Sequence, residues 1–542
     1  MSSTLRILGR ALLFTTTLGC AIGQAPPPAA GPATGPAKRP VTFTTDIAPL
    51  LFRSCTPCHR PGEAAPFPLL GYQDARKRGR NLLAVVEDGY MPPWHPEPGF
   101  GAFRNDPRLS KAQVELLREW VKTGMPEGPA DQLPPLPKFA EGWQLGEPDL
   151  VVRTQGAFEV PATGRDIYRN FAIPLGLPED RWLTAIEVRP QARAVLHHVL
   201  VFCDEQQQMQ AQDGKDGRPG FSGMRLERSP MVAGWAVGGM PERLPDGLAI
   251  KLPKGSDLVL QSHFHPSGKK ELEQTTLGLY FAKAPPTRTL VSLQLPPFFG
   301  FTAGLDIPAG EKAYRLADSF VLPCDVEAIT VGGHAHQLCT SLRMHAERAD
   351  GTEIPLLKIA HWDFDWQNRY TFAAPVALPK GATIRAELVY DNSKDNKSNP
   401  NKPPKRVRWG RETTDEMGSI TLMLVPKDEA DLDELLTAIG KKNAAKAIAR
   451  AQEAIEGQFQ NFDTNRDGKL QKDEIPRRMQ MFFERLDKDK DGALSKDEAK
   501  AIESLLGELG RGFGGLPGGG GNGGGGGNGG GSGGDGKKPP KK

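Results

Sequence analysis

Six of the ten histidines in this 542-residue chain fall in three tight groups: His197-His198, His263-Phe264-His265 and His334-Ala335-His336. Residues two apart on a strand face the same way, so a His-x-His pair presents two imidazoles to one ligand. The adjacent pair His197-His198 would point to opposite faces of a regular strand; both reach one ion only at a strand end or a bulge. A lone histidine on such a strand is ordinarily a packed core residue. Three paired groups together point to metal, and imidazole suits zinc and copper alike, with a thioether ligand favouring copper because soft sulfur stabilises Cu(I).

A second constellation is Cys55-Thr56-Pro57-Cys58-His59, a CxxCH motif. Its spacing lets two thiolates add to the vinyl groups of a haem while the next histidine ligates the iron. A redox or zinc CxxC followed by a chance histidine is the alternative. Against it stand an export signal, a short helical domain, and Met91 about thirty residues downstream in the loop GYMPPWHP. Both Met91 and His95 lie in that loop and either reaches the sixth iron position. The MPPW arrangement resembles the distal loop of small c-type cytochromes, which selects Met91, a thioether that would raise the reduction potential.

A third set lies near the C-terminus. Asp463, Asn465, Asp467, Gly468 and Glu474 occupy positions one, three, five, six and twelve of a calcium loop, with the Lys469 carbonyl at seven. Asp487, Asp489, Asp491, Gly492 and Glu498 repeat the pattern 24 residues on, with the Ala493 carbonyl at seven. Phe459, Phe462, Phe482, Phe483 and Leu486 supply apolar helix faces for pairing the two hands. Calcium outside the cytoplasm is abundant and steady, so a structural or docking role is expected rather than a switch.

These residues need elements to position them. Residues 1–25 read as a secretory signal, with Arg6 and Arg10 ahead of a short apolar run, too short to span a membrane. Leu18-Gly19-Cys20 resembles a lipoprotein cleavage site, with Thr17 where leucine is usual, and Cys20 is the residue a lipid anchor would use. Residues 26–40 form a Pro/Ala linker. Residues 41–128 form a small all-α haem domain; within it KAQVELLREWVKT (111–123) has helical spacing, and Ser110 is its N-cap. Between about Asp149 and Pro426 the texture changes to alternating, β-branched runs: VLHHVLVF, DLVLQSHFH, TTLGLYF, AITVGGHAH, ATIRAELVY and SITLMLV. Two antiparallel, jelly-roll-like β-sandwiches follow, 145–285 and 286–427, divided near Pro285-Pro286. An α-helical EF-hand pair spans 436–509, and the Gly-rich tail 510–542 is expected to be disordered. The fold class is multidomain and mainly β. In an oxidising compartment Cys324 and Cys339, which flank one histidine pair, are candidates for a disulfide, and Cys203 is left over.

VLHHVLVF, LVLQSHFHPSG, GGHAHQL and TTDEMGSITLMLVP, in this order over about half the chain, resemble the copper type II, ascorbate-dependent monooxygenases. This is the family of peptidylglycine alpha-hydroxylating monooxygenase and dopamine beta-monooxygenase. The resemblance implies that His197, His198 and His263 hold a first copper, which stores and passes an electron. It implies that His334, His336 and Met417 hold a second, where dioxygen binds and a C–H bond is hydroxylated, with Met417 as a weak ligand. His265 has no assigned role. In the peptide-amidating branch an arginine, an asparagine and a tyrosine grip the peptide carboxylate; Gly332, Ser419 and Thr421 stand in those places here. A C-terminal glycine peptide is therefore not the expected substrate, and a small organic molecule of open class is.

Inserting one oxygen atom while reducing the other to water consumes two electrons, and each copper supplies one. Ascorbate, another reductant or a redox protein must reload them, and the tethered haem is an intramolecular relay, since a short tether raises effective concentration to ~mM levels. The rival reading is a haem and copper electron-transfer or copper-binding protein without oxygenase activity. Lys plus Arg (68) nearly balances Asp plus Glu (65), so no single-sign field attracts nucleic acid. The expected location is exported: periplasmic, or at the cell surface.

Overall fold

The structure, a computed structural model, describes residues 39–498 apart from 64, 140–141, 224–230, 238, 411, 464, 466, 475–482 and 496–497. The signal, the linker, Cys20 and the glycine tail lie outside the described residues. Within them the chain is multidomain and mainly β.

The N-terminal unit is helical. Helices Ala48–Ser54, Tyr72–Glu87 and Lys111–Lys122 close over Leu51, Ala75, Leu117 and Trp120. Ser110 caps the third as the sequence predicts, its hydroxyl accepting from the Gln113 N–H while the Gln113 side chain accepts from the Ser110 N–H. Phe43 and Thr44 donate to the carbonyls of Pro126 and Glu127, tying the unit's two ends together near the expected limit at 128. Residues 102–104, however, leave this unit. Arg104 donates to the Thr371 carbonyl and Ala373 to the Ala102 carbonyl, while Phe103 stacks on Phe372, so the segment pairs with the edge strand Arg369–Leu378.

Two pairs of sheets follow. In the first, strands Leu150–Arg153, Thr276–Phe281, Arg181–Arg189, Leu248–Leu252 and Arg288–Thr289 form one sheet, in that spatial order. Ile167–Pro174, Asp257–Phe264, Leu196–Asp204 and Met231–Ala236 form the other, and both contribute to one core that includes Phe171, Leu196, Val199, Leu260, Leu277 and Leu279. Just past Pro285-Pro286, Arg288–Thr289 bridges the two halves: it pairs in parallel with Leu248–Ala249, while the Arg288 guanidinium bonds to Glu327 and to the Pro426 carbonyl of the following sheets.

The second pair sets Val291–Leu295, Gly418–Pro426, Val326–Ala335 and Arg369–Leu378 against Tyr314–Val321, Thr383–Tyr390, Cys339–Glu347 and Glu353–Ile359, again around one core. The disulfide expectation is corrected: Cys324 and Cys339 are buried free thiols. They sit at opposite ends of the ten-residue strand Val326–Ala335, and ten residues at about 3.3 Å each separate them by roughly 30 Å.

The C-terminal helix runs from Leu432 to Phe462, so it starts before the expected boundary at 436. Its first turns belong to the second sandwich: Leu435 and Ile439 join that core, and the Lys442 and Lys446 ammoniums lie 2.8 and 3.3 Å from the buried Asp318 carboxylate. Among the described residues no helix is long and apolar enough to cross a membrane.

Candidate metal centres

Strand Leu196–Asp204 pairs with Asp257–Phe264, His198 opposite His263, and its register shifts between Leu196 and His198. That bulge removes the difficulty of adjacent histidines. It turns His197 toward the face His198 already occupies, and one ring nitrogen each from His197, His198 and His263 lies within 4.8 Å of the others. The Nδ1 atoms of His198 and His263 are 3.3 Å apart, which matches the roughly 3.3 Å expected for two nitrogens about 2.0 Å from one tetrahedral ion.

Two of the three rings have a carboxylate on the other nitrogen. His263 Nε2 donates to Asp166 at 2.9 Å and His197 Nε2 to Asp365 at 3.2 Å. His197 Nδ1 is buried with no hydrogen-bond partner among the described residues. A carboxylate on the far nitrogen is the common support for a metal-binding imidazole, because it fixes the tautomer and the ring orientation. His265, given no role by the sequence, donates to the second oxygen of Asp166 at 2.8 Å, and Tyr168 stacks on the His263 ring at 4.4 Å.

His334 and His336 end strand Val326–Ala335, and the pairing of His334 with Ser419 and Ala335 with Gly418 brings Met417 across from them. His334 Nε2 lies 3.1 Å from the Met417 sulfur, while His336 Nδ1 donates to the Asp415 carbonyl at 3.2 Å. Glu416, which the sequence reading passed over, organises this set. Its fully buried carboxyl group accepts from the backbone N–H groups of His336 (2.6 Å), Leu338 (2.8 Å) and Met417 (2.9 Å). Burial pushes that carboxyl up to about 8, against the pull of those donors and of the Cys339 N–H.

The two trios adjoin, with the rings of His198 and His334 6.2 Å apart and the Phe364 ring packed on His197, His263 and His336. Burial pushes His334 down to about 4 and His336 to about 3, and holds His198 well below the ordinary histidine range. All three are neutral at physiological pH, which is the form that ligates metal. Gly332 is also explained: a Cβ there would stand 3.3 Å from the Arg369 Cα and the Asn368 carbonyl, so any larger side chain would have to displace backbone.

The CxxCH residues are elsewhere. His59 Nδ1 donates to the Phe67 carbonyl at 3.0 Å, which leaves Nε2 free for a metal. Cys55 and Cys58 form no disulfide with each other, and Cys58 lines a pocket shared with Val188, Arg193, Trp235 and Met240 of the first sandwich. Met91 follows helix Tyr72–Glu87, its N–H bonded to the Val85 carbonyl. His95, in the same loop, is half-buried. Burial lowers its pKa while Asp363 of the second sandwich pulls it up, and the adjacent Trp94 packs on Tyr370.

In the calcium loops, Gly468 and Gly492 adopt φ +80°, the left-handed turn that position six requires. Asp463 accepts from the N–H groups of Asp467 and Gly468, and Asp487 from that of Gly492. The carboxylates of Asp487, Asp489 and Asp491 gather within 4.8 Å. Short strands Lys469–Gln471 and Ala493–Ser495 pair the two loops across Leu470 and Leu494, with Phe483 and Leu486 buried nearby; Phe482 lies outside the described residues, as do the side chains of Phe459 and Phe462. The twelfth-position carboxylates bond to loop backbone, Glu474 to Asn465 and Gln471, Glu498 to Lys488 and Ser495. Glu498→Gln is expected to weaken calcium binding about tenfold or more by removing a bidentate charge, measured by titration calorimetry.

The family model for the EF hand matches residues 455–480 and 479–501, so the C-terminal unit is an EF-hand pair of the calcium-binding type. No curated protein matches the chain. Among solved structures the chain is similar to peptide-N(4)-(N-acetyl-β-D-glucosaminyl) asparagine amidase (8% identity, TM-score 0.24, covering 52% of this chain and 96% of that one). It is similar also to PNGase F, a glycosylasparaginase from Flavobacterium meningosepticum (9%, 0.22, 52% and 97%), and to the major capsid protein P2 of bacteriophage PM2 (10%, 0.21, 51% and 97%). Likeness this slight carries no argument about fold or function.

Proposed function

We propose that this protein is an exported copper-dependent monooxygenase that hydroxylates a C–H bond of a small organic substrate with dioxygen. The observation that carries the reading is the meeting of a three-histidine set with a His-His-Met set in one buried cluster, with Asp166 and Asp365 on the far nitrogens of His263 and His197. Bound copper would supply one-electron transfer and dioxygen activation there. The chain's own part is positional. Asp166 and Asp365 orient His263 and His197; the Glu416 carboxylate fixes the backbone that carries His336 and Met417; Phe364 helps keep water from the rings.

Cys55, Cys58 and His59 would hold a c-type haem, with Met91 as its second axial ligand, and the loop after Met91 supports a relay role because it packs on the second sandwich. Ascorbate or a redox protein would reduce it. The EF-hand pair would bind calcium in a structural or docking role.

The test is dioxygen uptake by the matured, copper-loaded protein with ascorbate, across a panel of small hydroxylatable molecules, while the ferrous haem absorbance is followed. Substrate-stimulated uptake is expected, falling at least ~100-fold in Met417→Ala. No stimulation with any substrate, with fast haem-to-copper electron exchange retained, would sink the oxygenase reading in favour of electron transfer. The 6.2 Å approach of His198 to His334 is the observation that favours this second reading.

A further inference from the structure

The segment that joins strands Glu353–Ile359 and Arg369–Leu378 belongs to the second sandwich, yet it reaches into the first trio. Asp365 meets His197 Nε2 at 3.2 Å, and Phe364 packs on His197 with ring centroids 5.9 Å apart and on His263 at 5.6 Å. Gln367 bonds to Phe364 through its amide, at 3.1 Å to the carbonyl, and its side chain also engages His334. His197 sits in a bulge, where backbone pairing constrains it least. Its Nδ1 is buried without a partner.

We propose that Asp365 is a positioning residue for the first trio, supplied across the interface between the sandwiches. By accepting the Nε2 proton it fixes the tautomer and points the His197 Nδ1 lone pair at the ion shared with His198 and His263. His263 takes the same support from Asp166, within its own sandwich. The first trio is therefore complete only when the second sandwich is docked, and loss of docking releases one of its three ligands. This rests on the reading of the trios as copper sites.

Asp365 is two-thirds exposed on its side chain, so substitution there leaves the core intact. Copper stoichiometry, competitive copper affinity and the electron paramagnetic resonance spectrum would be measured for wild type, Asp365→Ala, Asp365→Asn and His263→Ala. Asp365→Ala is expected to weaken one of two sites about 10–100-fold and to alter that site's hyperfine pattern. Asp365→Asn, whose side-chain oxygen still accepts from Nε2, should recover most of both. Two coppers with wild-type affinity and spectrum in Asp365→Ala would overturn the proposal and leave the copper reading standing. Equal copper content in wild type and His263→Ala, or none in either, would overturn the copper reading itself.

Discussion

Between pH 7 and pH 5 the metal-free protein is expected to lose about 4 kcal/mol more stability than a His334→Gln/His336→Gln double variant, as read from chemical denaturation at the two pH values. The folded chain holds these imidazoles neutral, at about 4 and about 3, because burial opposes their charge. The unfolded chain titrates near 6.5. Below that value the unfolded state binds more protons than the folded one, so stability falls as pH falls, by about 1.4 kcal/mol per group per pH unit until the folded values are reached. Glu416 acts with the opposite sign. Its raised carboxyl keeps its proton in the folded state up to about 8, so its effect weakens folding as pH rises from 4.5 toward 8. Since Glu416 is present in both proteins, the comparison removes it. Parallel pH profiles would mean that the two histidines are not held neutral in the fold.

Glu416→Ala should be among the most damaging single substitutions, at about 3 kcal/mol or more. It would leave the N–H groups of His336, Leu338 and Met417 without their acceptor in a fully buried place. Glu416→Gln keeps an acceptor oxygen and should lose less. Urea midpoints give the stability; on the proposal that His334, His336 and Met417 hold copper, copper uptake gives the local effect. A midpoint unchanged in Glu416→Ala would show that the 336–339 backbone does not depend on this carboxylate.

Much of this site could be read from residue spacing. His-x-His on a strand announces a shared face, and the structure brings His334, His336 and Met417 together as the sequence resemblance implies. The adjacency of His197 and His198 required a bulge, and a bulge is there. The calcium loops were readable because both glycines and both twelfth-position glutamates stand in place. What sequence could not carry is support that arrives from distant chain. Asp166 lies nearly a hundred residues before His263, and Asp365 comes from another sandwich with no motif around it. Glu416 was within reach, since a carboxylate directly before a buried methionine ligand must find donors, but its neighbours drew the reading to themselves. The strand at Arg288–Thr289 and the helix start at Leu432 carry one lesson. Prolines and helical texture mark where the local pattern changes, whereas a domain ends where its core and its pairing end.

The pairing of residues 102–104 with Arg369–Leu378 has a consequence for anyone who would cut the chain into parts. That strand is the open margin of its sheet, and the N-terminal unit covers it. Removed from its N-terminal unit, the histidine-bearing half would present bare amide and carbonyl groups beside Phe372, a template for strands from other molecules. Such a truncated protein would be expected to self-associate and precipitate, which makes the CxxCH unit a guardian of solubility as well as a neighbour of the histidine clusters.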